Sequence, residues 1–494
     1  MNVAFRQTWK NHTGNQSIQP LRWCVPETLD DAVQAVKEAE ELGCTVRAVG
    51  SGHSWSDVAL TPGFLIDTSA LGRVLDLEPG LLRSGVDPSV LVRPQGGIRL
   101  RAFNDYLDSH GLSLSNMGGY DAQTVAGVMS TATHGSGIGF GPIVDSICSI
   151  DLVAGGGELF RIEPADGPTD PEAFAARYPG RMLKQDDDWL RSASVAMGCA
   201  GIVYAVLITV EPKYWLKEVR VMRTWAEVAA DLRSGQVLRD NRHYEVYFNP
   251  YRVEGLHRCV VTTRNRVPPP QALPKDKLER HPLTEIGAAL PLVQRIIHFL
   301  FDRLPRITPE IINNALESLV DDGYTNVSYK VLNIGAANEM PAYSMEIGVP
   351  IERAVEAVER IQGIAEQRRK TGDVYHTSPV ALRFVKASPA FMAMMHGRDT
   401  MMIELIMMAP TQGGFELLGV YEEALAELGG RPHWGQVNYL AGGRERIRSM
   451  YPKFDTWLEV MRQLDPKGTF DSPFTKRVGI SGRGFLPQSS SGSA

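Results

Sequence analysis

A histidine follows two closely spaced glycines in the segment Arg47-Ala48-Val49-Gly50-Ser51-Gly52-His53-Ser54. Residues 45–49 form a short apolar stretch typical of a strand, and the glycines after it let the backbone turn and present N–H groups to an anion. A neutral imidazole at His53 is a nucleophile beside whatever that turn holds. The alternative is an ordinary strand-to-loop turn with a solvated histidine, and this segment alone leaves both interpretations open.

Two further segments favour a bound cofactor. The first runs Gly118-Gly119-Tyr120-Asp121-Ala122-Gln123-Thr124-Val125-Ala126-Gly127 and continues as Ser130-Thr131-Ala132-Thr133-His134-Gly135-Ser136-Gly137. Its glycines allow close backbone approach, and its hydroxyls can bond a ribityl chain or a diphosphate. The second, Gly198-Cys199-Ala200-Gly201-Ile202-Val203, offers small residues against which a flat ring can lie. Taken singly, each also fits a tightly packed structural turn.

In this order and spacing, the three segments resemble the FAD-binding domain of the vanillyl-alcohol oxidase superfamily, most closely its aldonolactone and alditol oxidase branch. Trp9 and the polar run 11–15 resemble the start of the same proteins. The resemblance implies one covalent bond, from His53 to the 8α position of the flavin. The cofactor-binding residues that it implies are Arg47, Val49, Gly50, Ser51, Gly52, His53, Ser54, Gly118, Thr124, Gly127, Ser130, Thr131, Thr133, His134, Gly135, Gly201, Ile202, Val203 and His433.

The substrate site departs from the family pattern. The family's glutamate-x-arginine pair falls on Ala381-Leu382-Arg383, so the arginine is kept and the carboxylate is lost. A buried arginine needs an acid nearby, and Glu404 is a lone carboxylate in an apolar strand. Glu404 is therefore either a general base or a salt-bridge partner of Arg383. The family's histidine-tryptophan-glycine-lysine signature ends here in Gln436, which completes the three catalytic candidates.

These changes alter the expected substrate. A separate position, Gly118, bears on the electron acceptor. A neutral amide at Gln436 replaces a cation, so we expect a substrate less hydroxylated than an alditol or a sugar lactone. Gly118 lies where relatives that react with dioxygen carry glycine, which favours an oxidase. Nearby methionines either line a softer pocket or belong to an ordinary core, and they are Met392, Met394, Met395, Met401, Met402, Met407 and Met408.

Composition excludes several other classes of protein. The chain has 494 residues, 43% of them hydrophobic, which is enough for two or three domains. Its net charge of -6 argues against nucleic-acid binding, which needs clustered lysine and arginine. The five cysteines include no CxxC pair, so we expect a reducing compartment and no disulfide framework. No HExxH motif or Walker loop is present, and we expect no metal.

The sequence also bears on location. The amino terminus has no apolar core, and no apolar run reaches the roughly 18 residues of a membrane span, so we expect a cytoplasmic protein. Peripheral membrane association stays open, because the amphipathic stretch Leu290–Leu304 suits either a buried face or a membrane surface. The sequence indicates no particular oligomeric state.

The predicted elements give an α+β, two-lobed fold of the vanillyl-alcohol oxidase type. Helices and strands alternate up to Pro212, and long helices separate the strands that follow. We predict an FAD-binding domain over residues 1–212, a substrate cap with an antiparallel sheet over 213–423, and a segment over 424–494 that returns to the first domain. Within these, the pattern predicts a loop over Pro164–Pro179 and a strand over Val327–Asn333.

Three functions remain at this point. The first is an FAD-dependent oxidase that takes a hydride from the CH–OH group of an alcohol or lactone to flavin N5 and is reoxidised by dioxygen to give hydrogen peroxide. The second is a dehydrogenase that passes the electrons to a quinone or cytochrome. The third is a flavin-binding protein whose altered site no longer oxidises polyols. We expect the first.

Overall fold

The computed structural model describes residues 1–271, 299, 301, 303–334, 342–372, 374–409, 411–441 and 443–481. Its strands are β1 (Asn2–Phe5), β2 (Trp9–Lys10), β3 (Ser17–Ile18), β4 (Arg22–Val25), β5 (Val46–Val49), β6 (Phe64–Asp67), β7 (Val74–Leu75), β8 (Leu91–Pro94), β9 (Leu112–Ser113), β10 (Ile147–Val153), β11 (Leu159–Glu163), β12 (Met182–Gln185), β13 (Ile202–Thr209), β14 (Glu211–Pro212), β15 (Trp215–Thr224), β16 (His243–Phe248), β17 (Arg258–Val267), β18 (Asp321–Val327), β19 (Ala342–Pro350), β20 (Val380–Val385), β21 (Thr400–Met408) and β22 (Arg431–Pro432).

The helices of the described residues alternate with these strands. They are α1 (Leu29–Glu41), α2 (Leu100–Ser109), α3 (Val125–Ser130), α4 (Pro171–Arg177), α5 (Asp187–Ser194), α6 (Trp225–Ser234), α7 (Gln236–Asp240), α8 (Thr308–Ser318), α9 (Ser328–Leu332), α10 (Ala354–Thr371), α11 (Gly414–Ala426), α12 (Arg444–Met450), α13 (Phe454–Leu464) and α14 (Pro473–Arg477). No helix within these ranges is both long and apolar enough to cross a membrane.

Two large sheets lie in the first half of the chain, beside the two-stranded pairs β2-β3 and β14-β9. A four-stranded sheet has the order β1-β4-β6-β5, and its buried side packs against the alanine- and valine-rich face of α1. That helix begins after Thr28, which forms a capping box with Asp31. A six-stranded sheet has the order β12-β11-β10-β13-β8-β7. Strands β10 and β11 pair antiparallel as a hairpin across the glycines at Gly155–Gly157.

An eight-stranded antiparallel sheet dominates the second half. Its order is β18-β15-β17-β16-β20-β21-β19-β22. One face packs on α6, α10 and α11 through residues such as Leu382 and Ile403, which are fully buried. Because neighbouring residues of a strand point to opposite faces, Arg383 and Glu404 lie on the other face. We call this the charged face, and it is turned toward the first half.

Two sequence predictions differ from the structure. The predicted loop Pro164–Pro179 contains α4, which has proline in its first turn and Asp170 as its cap, a start signal that the prediction did not use. The predicted strand Val327–Asn333 ends at Val327 and continues as α9, because the chain turns there to bring Ile334 N–H to the Gly119 carbonyl. The stretch Leu290–Leu304 lies mostly outside the described residues.

The carboxyl-terminal segment contacts both halves. It enters the eight-stranded sheet as β22 and then packs on the first half, where the Thr469 carbonyl accepts a hydrogen bond from Val46 N–H at 2.7 Å. Phe470 is fully buried in the core beneath α1. The predicted boundary after residue 423 falls inside α11, so we propose that the segment begins after this helix. The boundary at residue 212 stays a prediction.

Candidate active site

A cavity of about 890 Å³ lies between the first half and the charged face. The three glycine-rich segments, the signature around His433 and the three catalytic candidates all contribute to its wall. Gly135 and Ile202 do not line it. A Cβ on Gly135 would overlap Met117 and Asn116, whereas Ile202 is fully buried beneath α1. The predicted residues that line the cavity are Arg47, Val49, Gly50, Ser51, Gly52, His53, Ser54, Gly118, Thr124, Gly127, Ser130, Thr131, Thr133, His134, Gly201, Val203, Arg383, Glu404, His433 and Gln436.

The first two glycine-rich segments form one cradle. Strand β5 ends at Val49, and a Cβ on Gly50 would overlap the Thr124 side chain, so only glycine allows the two segments to meet here. Thr124 in turn caps α3 by accepting a hydrogen bond from Gly127 N–H at 3.3 Å. Gly52 has φ +70°, and its carbonyl accepts from His12 N–H at 2.8 Å. The backbone of both segments is thereby held against the cavity.

His53 is a half-buried side chain on the cavity wall. Its ring lies between His12 and Tyr120, at centroid distances of 4.3 and 4.8 Å. Burial, with smaller contributions from His12 and Arg99, lowers the pKa of His53 to about 4. The imidazole is therefore neutral at physiological pH and keeps a lone pair for bond formation. Sequence reasoning gave no role to His12 beyond its place in the amino-terminal run.

Arg47 has structural contacts that the sequence did not reveal. It is buried, its Nε donates to the Val58 carbonyl at 3.0 Å, and its Nη1 donates to the Phe470 carbonyl at 3.2 Å. Its Nη2 donates to the carbonyl of Met197. One guanidinium therefore joins the turn after β5 to the third glycine-rich segment and to the carboxyl-terminal segment. These contacts indicate that Arg47 supports the cradle from behind.

Replacing Arg47 with methionine should lower the free energy of unfolding by about 3 kcal/mol or more, because several buried carbonyls lose a charged donor. Urea unfolding of purified protein measures the change. Arg101→Met is the matched control, since the side chain of Arg101 is 68% exposed in its pair with Asp121 and such pairs contribute about 1 kcal/mol or less. Equal losses in both variants would contradict the supporting role.

The charged face surrounds Arg383 with carboxylates. Arg383 Nη1 donates to Glu404 Oε2 at 2.6 Å and lies 3.3 Å from Glu346 Oε1, while its Nε lies 3.0 Å from Glu245 Oε1. Burial disfavours the charged guanidinium, yet Glu404 and Glu245 outweigh burial and raise the pKa of Arg383 well above its usual value. Three carboxylates therefore balance the charge of Arg383, the arginine whose family partner is missing at Ala381.

Strand register explains how Glu404 reaches Arg383. Ala381 on β20 pairs directly with Glu404 on β21, and Glu404 pairs with Glu346 on β19. Directly opposite residues have Cβ atoms about 5 Å apart on the same face. The carboxylate missing at Ala381 is therefore supplied from across the strand pair. Glu404 also accepts a hydrogen bond from Ser344 Oγ at 3.1 Å, which orients its second oxygen.

Sequence reasoning missed Glu245 and Glu346. Each interrupts an apolar strand, which is the same signal that identified Glu404. Glu346 Oε2 lies 3.3 Å from His134 Nε2 and accepts from Gln436 Nε2 at 3.4 Å. Burial raises the pKa of Glu346, but His134 and Arg383 outweigh it and hold that pKa below its usual range. Glu346 thereby links the second glycine-rich segment to the charged face.

The methionines divide between core and cavity. Met408 lines the cavity. The others are buried in the two main cores and do not line it, so of the two alternatives the ordinary core holds for all but Met408. They are Met392, Met394, Met395, Met401, Met402 and Met407.

The cavity wall suits FAD. Backbone turns at glycines and the hydroxyls of Thr124 and Ser130 supply donors for a diphosphate and a ribityl chain. A Cβ on Gly201, where φ is +137°, would overlap the Val153 carbonyl. Position 201 therefore requires glycine, and no side chain covers the backbone of the third segment there. Gln436 Oε1 is buried and accepts no hydrogen bond from the described residues. A buried acceptor without a donor from the protein indicates a bound group that donates to it.

Comparison with protein families gives two matches. An FAD binding domain matches residues 20–163, and D-arabinono-1,4-lactone oxidase matches residues 206–478, which is more than half of the chain. The chain belongs to the D-arabinono-1,4-lactone oxidase family. As the sequence predicted, this member is an FAD-dependent oxidoreductase that acts on CH–OH donors of the lactone type.

Named relatives extend over nearly the whole chain of this family member. L-gulono-1,4-lactone dehydrogenase of Mycobacterium tuberculosis is 29% identical, over 95% of this chain and 98% of its own length. L-gulonolactone oxidase of Bos taurus is 25% identical, over 93% and 95%. Among solved structures, cholesterol oxidase from B. sterolicum has a TM-score of 0.76 at 15% identity and covers 97% of both chains. The predicted two-lobed α+β fold is confirmed.

Proposed function

We propose that this protein oxidises the CH–OH group of an alcohol or lactone at a flavin bonded to His53 and passes the electrons to dioxygen. The observation that carries the proposal is the Arg383–Glu404 pair, which faces the same cavity as His53. Bound FAD supplies the hydride acceptor, atom N5. The protein must then remove the hydroxyl proton and stabilise the negative charge that develops on the substrate oxygen.

Glu404 is the carboxylate placed to accept the proton. Its side chain is 15% exposed and lines the cavity, whereas Glu245 and Glu346 are each 4% exposed, and Glu245 does not line the cavity. Arg383 supplies a fixed positive charge beside the developing oxyanion. Gln436, with its unpaired Oε1, is placed to accept a hydrogen bond from the flavin or the substrate.

The test of this function is anaerobic reduction of the flavin in purified holoprotein by a panel of CH–OH donors. We expect bleaching of the oxidised flavin band with at least one hydroxy lactone or alcohol, followed by hydrogen peroxide release when air is admitted. A flavin that no CH–OH donor reduces would overturn the proposal and favour a binding protein. Reduction with turnover only on an added quinone or cytochrome would favour a dehydrogenase, the activity named for the mycobacterial relative.

A substitution at Gly118 tests the reaction of the reduced flavin with dioxygen. A Cβ there would lie 3.2 Å from the His134 carbonyl and 3.4 Å from Thr133 Cγ2, so alanine fits with a small adjustment but fills space at the cavity wall. Gly118→Ala should slow reoxidation of the reduced flavin by dioxygen at least tenfold and leave reduction by substrate unchanged. Stopped-flow mixing with aerated buffer measures the first rate, and the second is the internal control. Reoxidation at the wild-type rate would contradict the role in oxygen access.

The cysteines support a reducing location. Cys24, Cys44, Cys148, Cys199 and Cys259 are all free thiols. Disulfides form and persist in oxidising compartments, so free thiols throughout favour the cytoplasm, which we propose as the site of action.

A further inference from the structure

The cavity extends beyond Arg383 and Glu404 into a region that the chemistry above does not use. We call this region the apolar wing. One wall is the end of the charged face, and the other is helix α8 with the residues that follow it. The residues that define the wing are Ile311, Ile312, Ala315, Leu319, Ala342, Pro379, Ile406 and Met408.

The strand register shows how polarity falls along the charged face. Side chains two residues apart on a strand share a face. Along β21, the series Glu404, Ile406 and Met408 runs from a carboxylate to two apolar side chains. Along β19, Glu346 is followed on the same face by Ser344 and then Ala342. The substrate cavity is therefore ionic at one end and apolar at the other.

Helix α8 completes the wing. Ile311 and Ala315 are four residues apart and share one side of the helix, and Leu319 follows directly after its last residue. Asn249 Nδ2 donates to the Pro309 carbonyl at 2.8 Å and fixes the start of the helix on the sheet. Ile312 is almost completely buried and anchors the same turn. The small side chain of Ala315 leaves room in the wing.

Three polar side chains beside the wing, those of Tyr247, Ser344 and Thr377, already make hydrogen bonds within the protein. Tyr247 OH donates to Glu245 Oε1 at 3.2 Å, and Ser344 Oγ donates to Glu404. Thr377 Oγ1 accepts from Met408 N–H at 2.9 Å. A substrate hydroxyl placed in the wing would face mainly apolar side chains, and each buried hydroxyl without a partner lowers affinity about tenfold or more. Methyl and methylene groups would instead gain affinity from burial.

From this geometry, and resting on the proposed function, we propose that the substrate is a CH–OH compound with a hydrocarbon body. Its hydroxyl-bearing carbon lies at Arg383 and Glu404, and its body occupies the apolar wing. The sequence predicted a less hydroxylated substrate from Gln436. The apolar wing indicates that hydrocarbon groups of the substrate take the place of those hydroxyls.

Two lactones with the same reacting group test the proposal. Pantolactone carries a 2-hydroxyl next to two methyl groups, whereas L-gulono-1,4-lactone carries a 2-hydroxyl among further hydroxyls. The second-order rate constant for flavin reduction should be at least tenfold higher for pantolactone, and higher still for 2-hydroxy lactones with longer alkyl chains. An equal or higher value for L-gulono-1,4-lactone would overturn the hydrocarbon body while leaving the proposed function intact. A flavin reduced by none of them would overturn both.

A variant of the wing adds a measurement independent of turnover. Ala315→Phe fills the wing, and Asn314→Phe places the same ring at the neighbouring position of the same helix, which does not line the cavity. Binding of γ-decalactone, an alkyl lactone without a 2-hydroxyl, is followed through the flavin absorption spectrum. Its Kd should rise at least tenfold in Ala315→Phe and less than twofold in Asn314→Phe. Equal Kd values in both variants would place the hydrocarbon body elsewhere.

Discussion

Glu404→Gln should slow reduction of the flavin by substrate by about 10²- to 10⁴-fold, which is the range that a positioned general base contributes. Glutamine keeps the size of the side chain; its one amide oxygen can still accept from Arg383 Nη1, and its NH2 group can donate to Ser344 Oγ. What it loses is the capacity to take the hydroxyl proton. Anaerobic stopped-flow reduction at saturating substrate measures the rate. A rate within threefold of the wild type would exclude the base.

Glu245→Gln is the control for charge. Glu245 lies 3.0 Å from Arg383 Nε and accepts from Arg264 Nη1 at 3.0 Å, but it does not line the cavity. Its loss removes one of the carboxylates around Arg383 without removing the group that faces the substrate. We expect the reduction rate of Glu245→Gln to fall by about tenfold at most. Equal losses at both positions would mean that Glu404 balances the charge of Arg383 and does not act as the base.

His53→Ala should abolish covalent attachment of the flavin. In the wild type, we expect the flavin to stay with the polypeptide after acid precipitation, and in the variant we expect all of it in the supernatant. His12→Ala is the matched control, because His12 also lines the cavity and its ring lies 4.3 Å from His53. Flavin that remains bonded in His53→Ala, or that is lost equally in both variants, would contradict His53 as the single attachment point.

The same bond has an expected pH dependence. Because the pKa of His53 is about 4, its imidazole is neutral above that pH and becomes a cation without a free lone pair below it. Attachment of added FAD to apoprotein should proceed at a constant yield between about pH 5.5 and 8. An attachment yield that halves near pH 6.5, the ordinary pKa of histidine, would contradict the buried environment described for His53.

Sequence analysis could predict those parts of the site whose residues lie close together in the chain. The glycines and hydroxyls of the cradle adjoin one another in the chain, so their types and spacing indicate what they hold. The structural contacts of Arg47 were not foreseen because its partners, the carbonyls of Met197 and Phe470, come from distant parts of the chain. The helix Ser328–Leu332 was predicted as a strand because tertiary contacts override local preference there.

The relation between Ala381 and Glu404 lies beyond single-sequence reasoning for a related reason. A shift of strand register by one residue would turn Glu404 to the opposite face, and the amino-acid sequence does not state which register is adopted. Only the pairing of the two strands shows that Glu404 lies directly opposite Ala381 and supplies the carboxylate that Ala381 lacks. The apolar wing depends likewise on where α8 lies over the sheet.

The most direct test of the account is the rate of flavin reduction in the double variant Ala381→Glu/Glu404→Gln, compared with Glu404→Gln alone. If the catalytic carboxylate has moved across the β20–β21 pair, returning it to Ala381 should restore the reduction rate at least tenfold, because both positions face Arg383 on the same side of the sheet. A folded double variant with its full flavin content that reacts no faster than Glu404→Gln would contradict the account.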